Sequence, residues 1–260
     1  MARTTVVTGA ASGIGAATAA LLKARGETVI GVDLAGSDVN ADLTTAEGRR
    51  ALVDGVARLA DGPVDAVVAN AGSAAPAPLT VSVNFFGAVA TLEGLRPLMA
   101  DSPAPRVVIT SSMASFHPND DELIMAMLEG DEDAALARAQ ALVDAGEESA
   151  QLIYASTKNA INRWMRTVAP TEEWAGAGIP MNAVGPGVIE TPMTEEFTST
   201  AEGREMLAQM VPMPLGGYGR PEEVAELIAF LASPANSKAT GQVVFIDAGA
   251  DAVMRGPTAF

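Results

Sequence analysis

Thr4-Thr5-Val6-Val7-Thr8-Gly9-Ala10-Ala11-Ser12-Gly13-Ile14-Gly15 runs without a break into a helix-forming stretch from Ala16 to Arg25. The β-branched start suits a buried strand, and the alanine- and leucine-rich continuation suits a helix. The glycines between them let the backbone turn sharply and approach a pyrophosphate, whose charge then meets free N–H groups at the helix start. The spacing is Thr-Gly-x-x-x-Gly-x-Gly, not the commoner Gly-x-Gly-x-x-Gly, and a tight loop can carry the same glycines. The next strand decides between the two readings. Thr28-Val29-Ile30-Gly31-Val32 ends on Asp33, where a carboxylate can hold both hydroxyls of an adenosine ribose and repels a 2′-phosphate. Neither Ser12 nor Leu34, the neighbours from which an Arg would answer a 2′-phosphate, is basic. The cofactor implied is NAD, held by Gly9, Ser12, Gly13, Ile14, Gly15, Asp33 and Leu34.

Outward from this unit, strand and helix patterns alternate to the end of the chain. Strands are expected near 4–8, 28–32, 64–69, 106–112, 179–184 and 242–246, with helices between them. Pro221 to Ala232 reads as a helix, with Pro in the first turn and Glu222-Glu223 near the positive end of its dipole. No linker, low-complexity run or internal repeat interrupts the pattern, so residues 1–260 form a single domain. The fold class is α/β, a Rossmann-type doubly wound parallel sheet with helices on both faces. In such sheets ligands lie beyond the carboxyl ends of the strands.

The chain has two tyrosines and three lysines, yet one of each stands four apart in Tyr154-Ala155-Ser156-Thr157-Lys158. Positions i and i+4 of a helix are neighbours. A phenol titrating near pH ~10 is a poor base at neutrality, and a fixed cation beside it favours the phenolate. Such a pair can take a proton from an alcohol or return one to a carbonyl. An ordinary exposed helical pair has the same spacing. His117, the only histidine, has no Cys or His partner and reads as a loop or pocket residue; no metal site is visible.

With these residues in order, the chain resembles the short-chain dehydrogenase/reductase family over nearly its whole length. The resemblance implies further assignments. Asn70-Ala71-Gly72 would steady the sheet beside the adenosine ribose, and Asp42-Leu43 would contact adenine. Asn84 would support the proton-relay water beside Lys158. Ser112, closing Val107 to Ser112, matches the catalytic hydroxyl. Pro186, Gly187, the Ile189 backbone and Thr191 would hold the nicotinamide end, where Tyr154 and Lys158 also meet the cofactor. Singly, Asn70 can be a strand cap and Pro186-Gly187 a plain turn; their joint occurrence carries the reading. The activity implied is NAD-dependent interconversion of a secondary alcohol and a ketone, with Asn84, Ser112, Tyr154 and Lys158 as the catalytic set. An NAD-binding regulator without turnover, or a scaffold, is the alternative from another class.

Two departures from the family pattern narrow this. Asn70 and Asn84 stand closer together than the family norm, so a connecting helix between them is expected to be missing. Ser112 and Tyr154 stand much farther apart, and the extra segment, about 116–151, contains two helical patterns, Leu123 to Leu128 and Asp133 to Val143. This layout resembles the branch that handles 3α-hydroxysteroids and other hydrophobic carbonyl compounds, with aromatic (coniferyl-type) or terpenoid alcohols as the alternative. Met113, Phe116, Met193, Met206 and Met210 are the expected substrate contacts, the last three in a substrate loop about 192–217. In much of the family the helices beginning near Asn84 and Tyr154 pack across a two-fold axis. An insertion there obstructs that contact, so the expectation is a homodimer through the last strand, the last helix and the tail to Phe260, not the common tetramer, with the insertion's apolar faces laid over the substrate cleft or against a partner.

Composition sets the outer bounds. The net charge of −16 opposes binding to nucleic acid or anionic membrane. There is no cysteine, no export-type start and no run of 18 apolar residues, so a cytoplasmic enzyme acting on a small hydrophobic molecule is expected.

Overall fold

The structure, a computed structural model, describes residues 2–258. Ala259 and Phe260, the end of the tail expected at the dimer surface, lie outside them. Among the described residues seven parallel strands form one sheet: β1 (Thr4–Thr8), β2 (Thr28–Asp33), β3 (Val39–Asn40), β4 (Ala66–Ala69), β5 (Arg106–Thr110), β6 (Met181–Pro186) and β7 (Val243–Ile246). Their order is β3-β2-β1-β4-β5-β6-β7. Strands buried on both faces are apolar almost throughout, and successive side chains alternate between the two layers. Val6, Val67 and Val107 point into one core, Val7, Val68 and Val108 into the other. The chain runs outward in both directions from β1 and β4, which leaves a crevice where their loops diverge. The two-residue β3 extends the expected set of six strands.

Helices α1 (Gly13–Ala24) and α11 (Pro221–Ala232) cover the second layer, with Leu22, Val224 and Ile228 against the sheet. The other layer begins with α2 (Ala46–Leu59). A continuous helical run follows: α3 (Pro78–Val81), a π-helical turn (Ser82–Gly87), α4 (Ala88–Leu95) and a 3₁₀ turn (Arg96–Met99). This run is long and apolar enough to cross a membrane, but Val81, Phe85, Leu92, Leu95 and Met99 belong to the core beside the sheet. Only a loop joins β4 to α3, in line with the short spacing from Asn70 to Asn84.

The insertion folds as α5 (Asp121–Glu129), α6 (Glu132–Asp144) and the short α7 (Glu147–Ala150), leading into α8 (Leu152–Val168). Its local signals are strong. Asp120 and Asp131 accept from the amides of Leu123 and Ala134, and Gly130 ends α5 in the left-handed region at φ 77°. The apolar faces do not spread over the cleft or await a partner. Leu123, Ile124, Met127, Ala135 and Ala139 are each at most 1% exposed, packed in one cluster with Val81, Phe85 and Ile153. The insertion is thus part of the core, laid over α3, the π turn and α8. The fold closes with α9 (Glu195–Thr198), α10 (Ala201–Met210) and α12 (Ala250–Arg255).

Candidate active site

Gly9 and Gly13 have φ of 68° and 51°, values that L side chains rarely adopt. A Cβ on Gly15 would lie 2.0 Å from the Gly9 carbonyl and 2.6 Å from Asn70 Nδ2, so only glycine lets α1 start this close to the sheet. Ser12 precedes that start in extended conformation, its side chain caps no amide, and the first turn holds no acid. The positive end of α1 is therefore left free to meet an anion from the crevice. Asn70 joins three strand ends: Nδ2 donates to Thr8 O at 3.1 Å, and Oδ1 accepts from Thr110 Oγ1 at 3.0 Å. Ala71 N donates to Thr8 Oγ1 and Gly72 follows, so all three residues of this triplet line the crevice.

Asp33 stands at the carboxyl end of β2, with Oδ2 accepting from Ala11 N at 2.9 Å and Oδ1 from Leu34 N at 2.7 Å. Both oxygens keep a second acceptor position, and Leu34 is 69% exposed at the rim. Asp42 accepts from the hydroxyl and amide of Thr44, which hold its carboxyl below the ordinary range, and Leu43 is buried against Gly87. Asp33, Leu34, Asp42 and Leu43 line one compartment, which shares Gly9 and Ser12 with a second containing Tyr154 and Lys158. An uncapped helix start between an acid at one end and a phenol–amine pair at the other fits a dinucleotide.

Ser112, Tyr154 and Lys158 all face the second compartment. Lys158 Nζ donates to Thr110 O at 2.9 Å and lies 5.7 Å from the centre of the Tyr154 ring. Burial lowers the Lys158 ammonium to about 8. Burial also pushes the Tyr154 phenol up, opposed by a hydrogen bond with Ser112. The Tyr-x-x-x-Lys spacing predicts a phenol lowered by the lysine; among the protein's own groups desolvation of the phenolate outweighs that effect, and Nζ donates to a backbone carbonyl. Ser112 Oγ accepts from Ala114 N at 3.1 Å and opens a 3₁₀ turn, Met113–Phe116. Its neighbour Ser111 has a buried hydroxyl without a partner in the same compartment.

Asn84 sits inside the π turn, 2% exposed. Its Oδ1 accepts from Ser73 N at 2.8 Å, and its Nδ2 donates to Ser73 O at 2.9 Å and Thr157 Oγ1 at 3.1 Å. A Cβ on Gly72 would lie 3.0 Å from Asn84 Oδ1 and 3.8 Å from Lys158 Nζ, so Gly72 stands between the two side chains and leaves no room for a larger residue. Thr157 and Ser73, which hold the amide, were not singled out from the sequence. Thr157 lies inside the Tyr-x-x-x-Lys motif, and that was the available signal.

Pro186, Gly187, Ile189 and Thr191 form the opposite wall. The Thr191 methyl lies 3.3 Å from where a Cβ of Gly13 would stand, and Thr194 Oγ1 donates to Ile189 O at 2.5 Å. The expected substrate residues separate. Met193 lines both compartments. Met113 is buried in a small cluster with Val188, Val211 and Ala250. Phe116 packs at a tilt against Phe245, centroids 4.8 Å apart, with the Arg255 guanidinium 4.2 Å from the Phe116 ring centre. Met206 and Met210 are 42% and 46% exposed on α10. His117 reaches this region, with Nε2 hydrogen bonded to Met210 O at 3.2 Å. Among the described residues no group of His, Cys, Asp and Glu could hold a metal.

Comparison with known proteins gives a consistent result. A family profile described as enoyl-(acyl carrier protein) reductase matches residues 9–251. A Comamonas testosteroni protein described as 3-alpha-hydroxysteroid dehydrogenase/carbonyl reductase is 40% identical over 262 residues, 98% of each chain. A cis-4-hydroxycyclohexanecarboxylate dehydrogenase from Sinomonas cyclohexanicum is 35% identical over 268 residues, 96% of this chain and 97% of its own. Among solved structures, a 3-alpha-hydroxysteroid dehydrogenase from Pseudomonas sp. B-0831 complexed with NADH superposes with a TM-score of 0.90 at 38% identity, covering 99% of this chain and 100% of the other.

Proposed function

We infer the function from the premise that this chain belongs to the short-chain dehydrogenase/reductase family. It is an NAD-dependent oxidoreductase that interconverts a secondary alcohol and a ketone, with a 3α-hydroxysteroid or another hydrophobic carbonyl compound as substrate. The observation that carries the reading is the convergence of Ser112, Tyr154 and Lys158 on one cleft with the uncapped start of α1. Two relatives named for hydroxyl groups on saturated rings support a cyclic secondary alcohol.

The glycine turn and α1 amides would hold the pyrophosphate, Asp33 the adenosine ribose, Lys158 the nicotinamide ribose, and Ile189 with Thr191 the carboxamide. Bound there, the nicotinamide supplies a hydride acceptor or donor. The chain's own part is proton transfer and orientation. Ser112 Oγ positions and polarises the substrate oxygen, and Tyr154 Oη takes the hydroxyl proton during oxidation or returns it during reduction. Lys158 places a positive charge beside Tyr154, and Asn84, fixed by Ser73 and Thr157, supports the proton's route to solvent.

The same reading places the protein in the cytoplasm as a homodimer. Exposed Val253 and Met254 on α12, beside the edge strand β7, support an interface at that end. The insertion's cover over the π turn and α8 argues against a two-fold contact there. Mass in solution together with the contacts in a crystal tests this, and a two-fold interface centred on the π turn and α8 would refute it.

Nicotinamide absorbance with steroid, aromatic and terpenoid alcohols tests the activity. Turnover with NAD should exceed that with NADP, and Asp33→Ser should narrow the gap by weakening NAD. An absence of turnover with all alcohols and ketones would favour the regulator alternative.

A further inference from the structure

We propose that Arg49 is a positioning residue for the active site, fixing the π-helical turn that carries Asn84 and tying it to the insertion. The Arg49 side chain is only 11% exposed. Its Nε donates to Leu43 O at 2.8 Å and its Nη2 to Ser82 O at 3.1 Å. Nη1 and Nη2 form a bidentate pair with Glu132 of α6 at 2.7 and 2.6 Å. The guanidinium lies 6.0 Å from the centre of the Phe86 ring, inside the turn. One planar group therefore joins the loop of the nucleotide compartment, the first residue of the turn and the inserted helix. Arginine suits this because its donors are fixed in one fork, so Glu132 on one side aims the others at the carbonyls.

The turn needs such a partner. A π turn bonds each carbonyl to the amide five residues on, a wide geometry that persists mostly as single turns at functional sites. Ser82 O begins that turn, and Asn84 rides on its next residues with its amide set against Ser73 and Thr157. A turn that relaxed toward α-helical geometry would rotate Asn84 off those partners.

The inference rests on the role given to Asn84 above, so its test has an arm that needs no activity. In Arg49→Leu, kcat should fall about ten-fold with KM for the alcohol little changed, as expected when groups already in place are misaligned. Amide exchange across 82–87 should quicken while exchange in β4 stays as in the wild type. Arg49→Lys should recover part of both, and Glu132→Gln should give a smaller loss in the same direction. A merely structural pair would lower stability and leave kcat per folded molecule unchanged; that result, or a loss of kcat with exchange across 82–87 unaltered, overturns the proposal. If Arg49→Leu does not fold, Glu132→Gln decides by the same two readouts. A wild type without any turnover counts against the oxidoreductase reading, and exchange across 82–87 alone then decides for or against Arg49.

Discussion

Two helical additions flank the cleft, and the sheet treats them differently. The insertion, α5 and α6, buries Leu123, Ile124, Met127, Ala135 and Ala139 in the main core. On the other side α9 and α10 have no fully buried residue. What attaches the second pair is a short set of contacts: Thr194 to Ile189 O, His117 to Met210 O, and Leu207 against the Met113 cluster. Stability and adaptability are thus assigned to different additions. The first fixes the outer face of the helix that carries Tyr154 and Lys158; the second is lightly held, with few buried contacts to keep it in one place.

Four measurements break or sharpen this contrast. Leu123→Ala should cost about 2–5 kcal/mol in denaturant unfolding, with kcat per folded molecule preserved, because a buried cavity opens in the core. A loss below about 1 kcal/mol would show the insertion to be an appendage. The second concerns the inner face of α8. Lys158 titrates near 8 in the fold and near 10.5 unfolded, so its burial costs stability fully below pH ~8, a cost relieved as pH rises toward 10.5. Relative to Lys158→Met, the wild type should gain up to about 3 kcal/mol over that window; parallel pH curves would contradict it. Third, Tyr154→Phe should reduce turnover by roughly 10² or more, about 2.7 kcal/mol, while leaving the unfolding midpoint nearly unchanged. Loss of both activity and stability together would blur the division drawn above. Last, Met206→Ala on the exposed face of α10 should change stability by less than about 0.5 kcal/mol. Its effect should fall on KM for large alcohols, and an equal effect on small ones would remove α10 from the substrate wall.

Legibility in the sequence followed the same division between local and distant causes. Helix α11 stands at the bounds expected, Pro221 to Ala232, because Pro221 and the two glutamates mark its start locally. The insertion helices fall within two residues of expectation, for Asp120, Gly130 and Asp131 punctuate them. The glycine turn, Asp33 and the Tyr154–Lys158 pair stand out in the chain because each has a fixed spacing along one strand or helix, whereas Asn70 and Ser112 have no local signal of that kind and were expected only from the family resemblance. β3 was not legible, since Val39 and Asn40 are too few to show a period. The π turn was invisible because its geometry depends on contacts from elsewhere in the chain, among them Arg49 and Thr157. The direction of the Tyr154 shift needed the surrounding dielectric, which only packing supplies. The methionines of α10 were legible as adaptable side chains, but which of them face a ligand depends on how the helix is docked.

A surface covered by a second subunit is covered only to the extent that mass action allows, and dilution uncovers it. The cover over the π turn and α8 belongs to the same chain as the surface beneath it. Its local concentration is set by the short connections at Asp120 and Gln151, in the range a tether provides, and not by how much protein is present. The cover over the helices that carry Asn84, Tyr154 and Lys158 is therefore present in a single chain and does not fade on dilution.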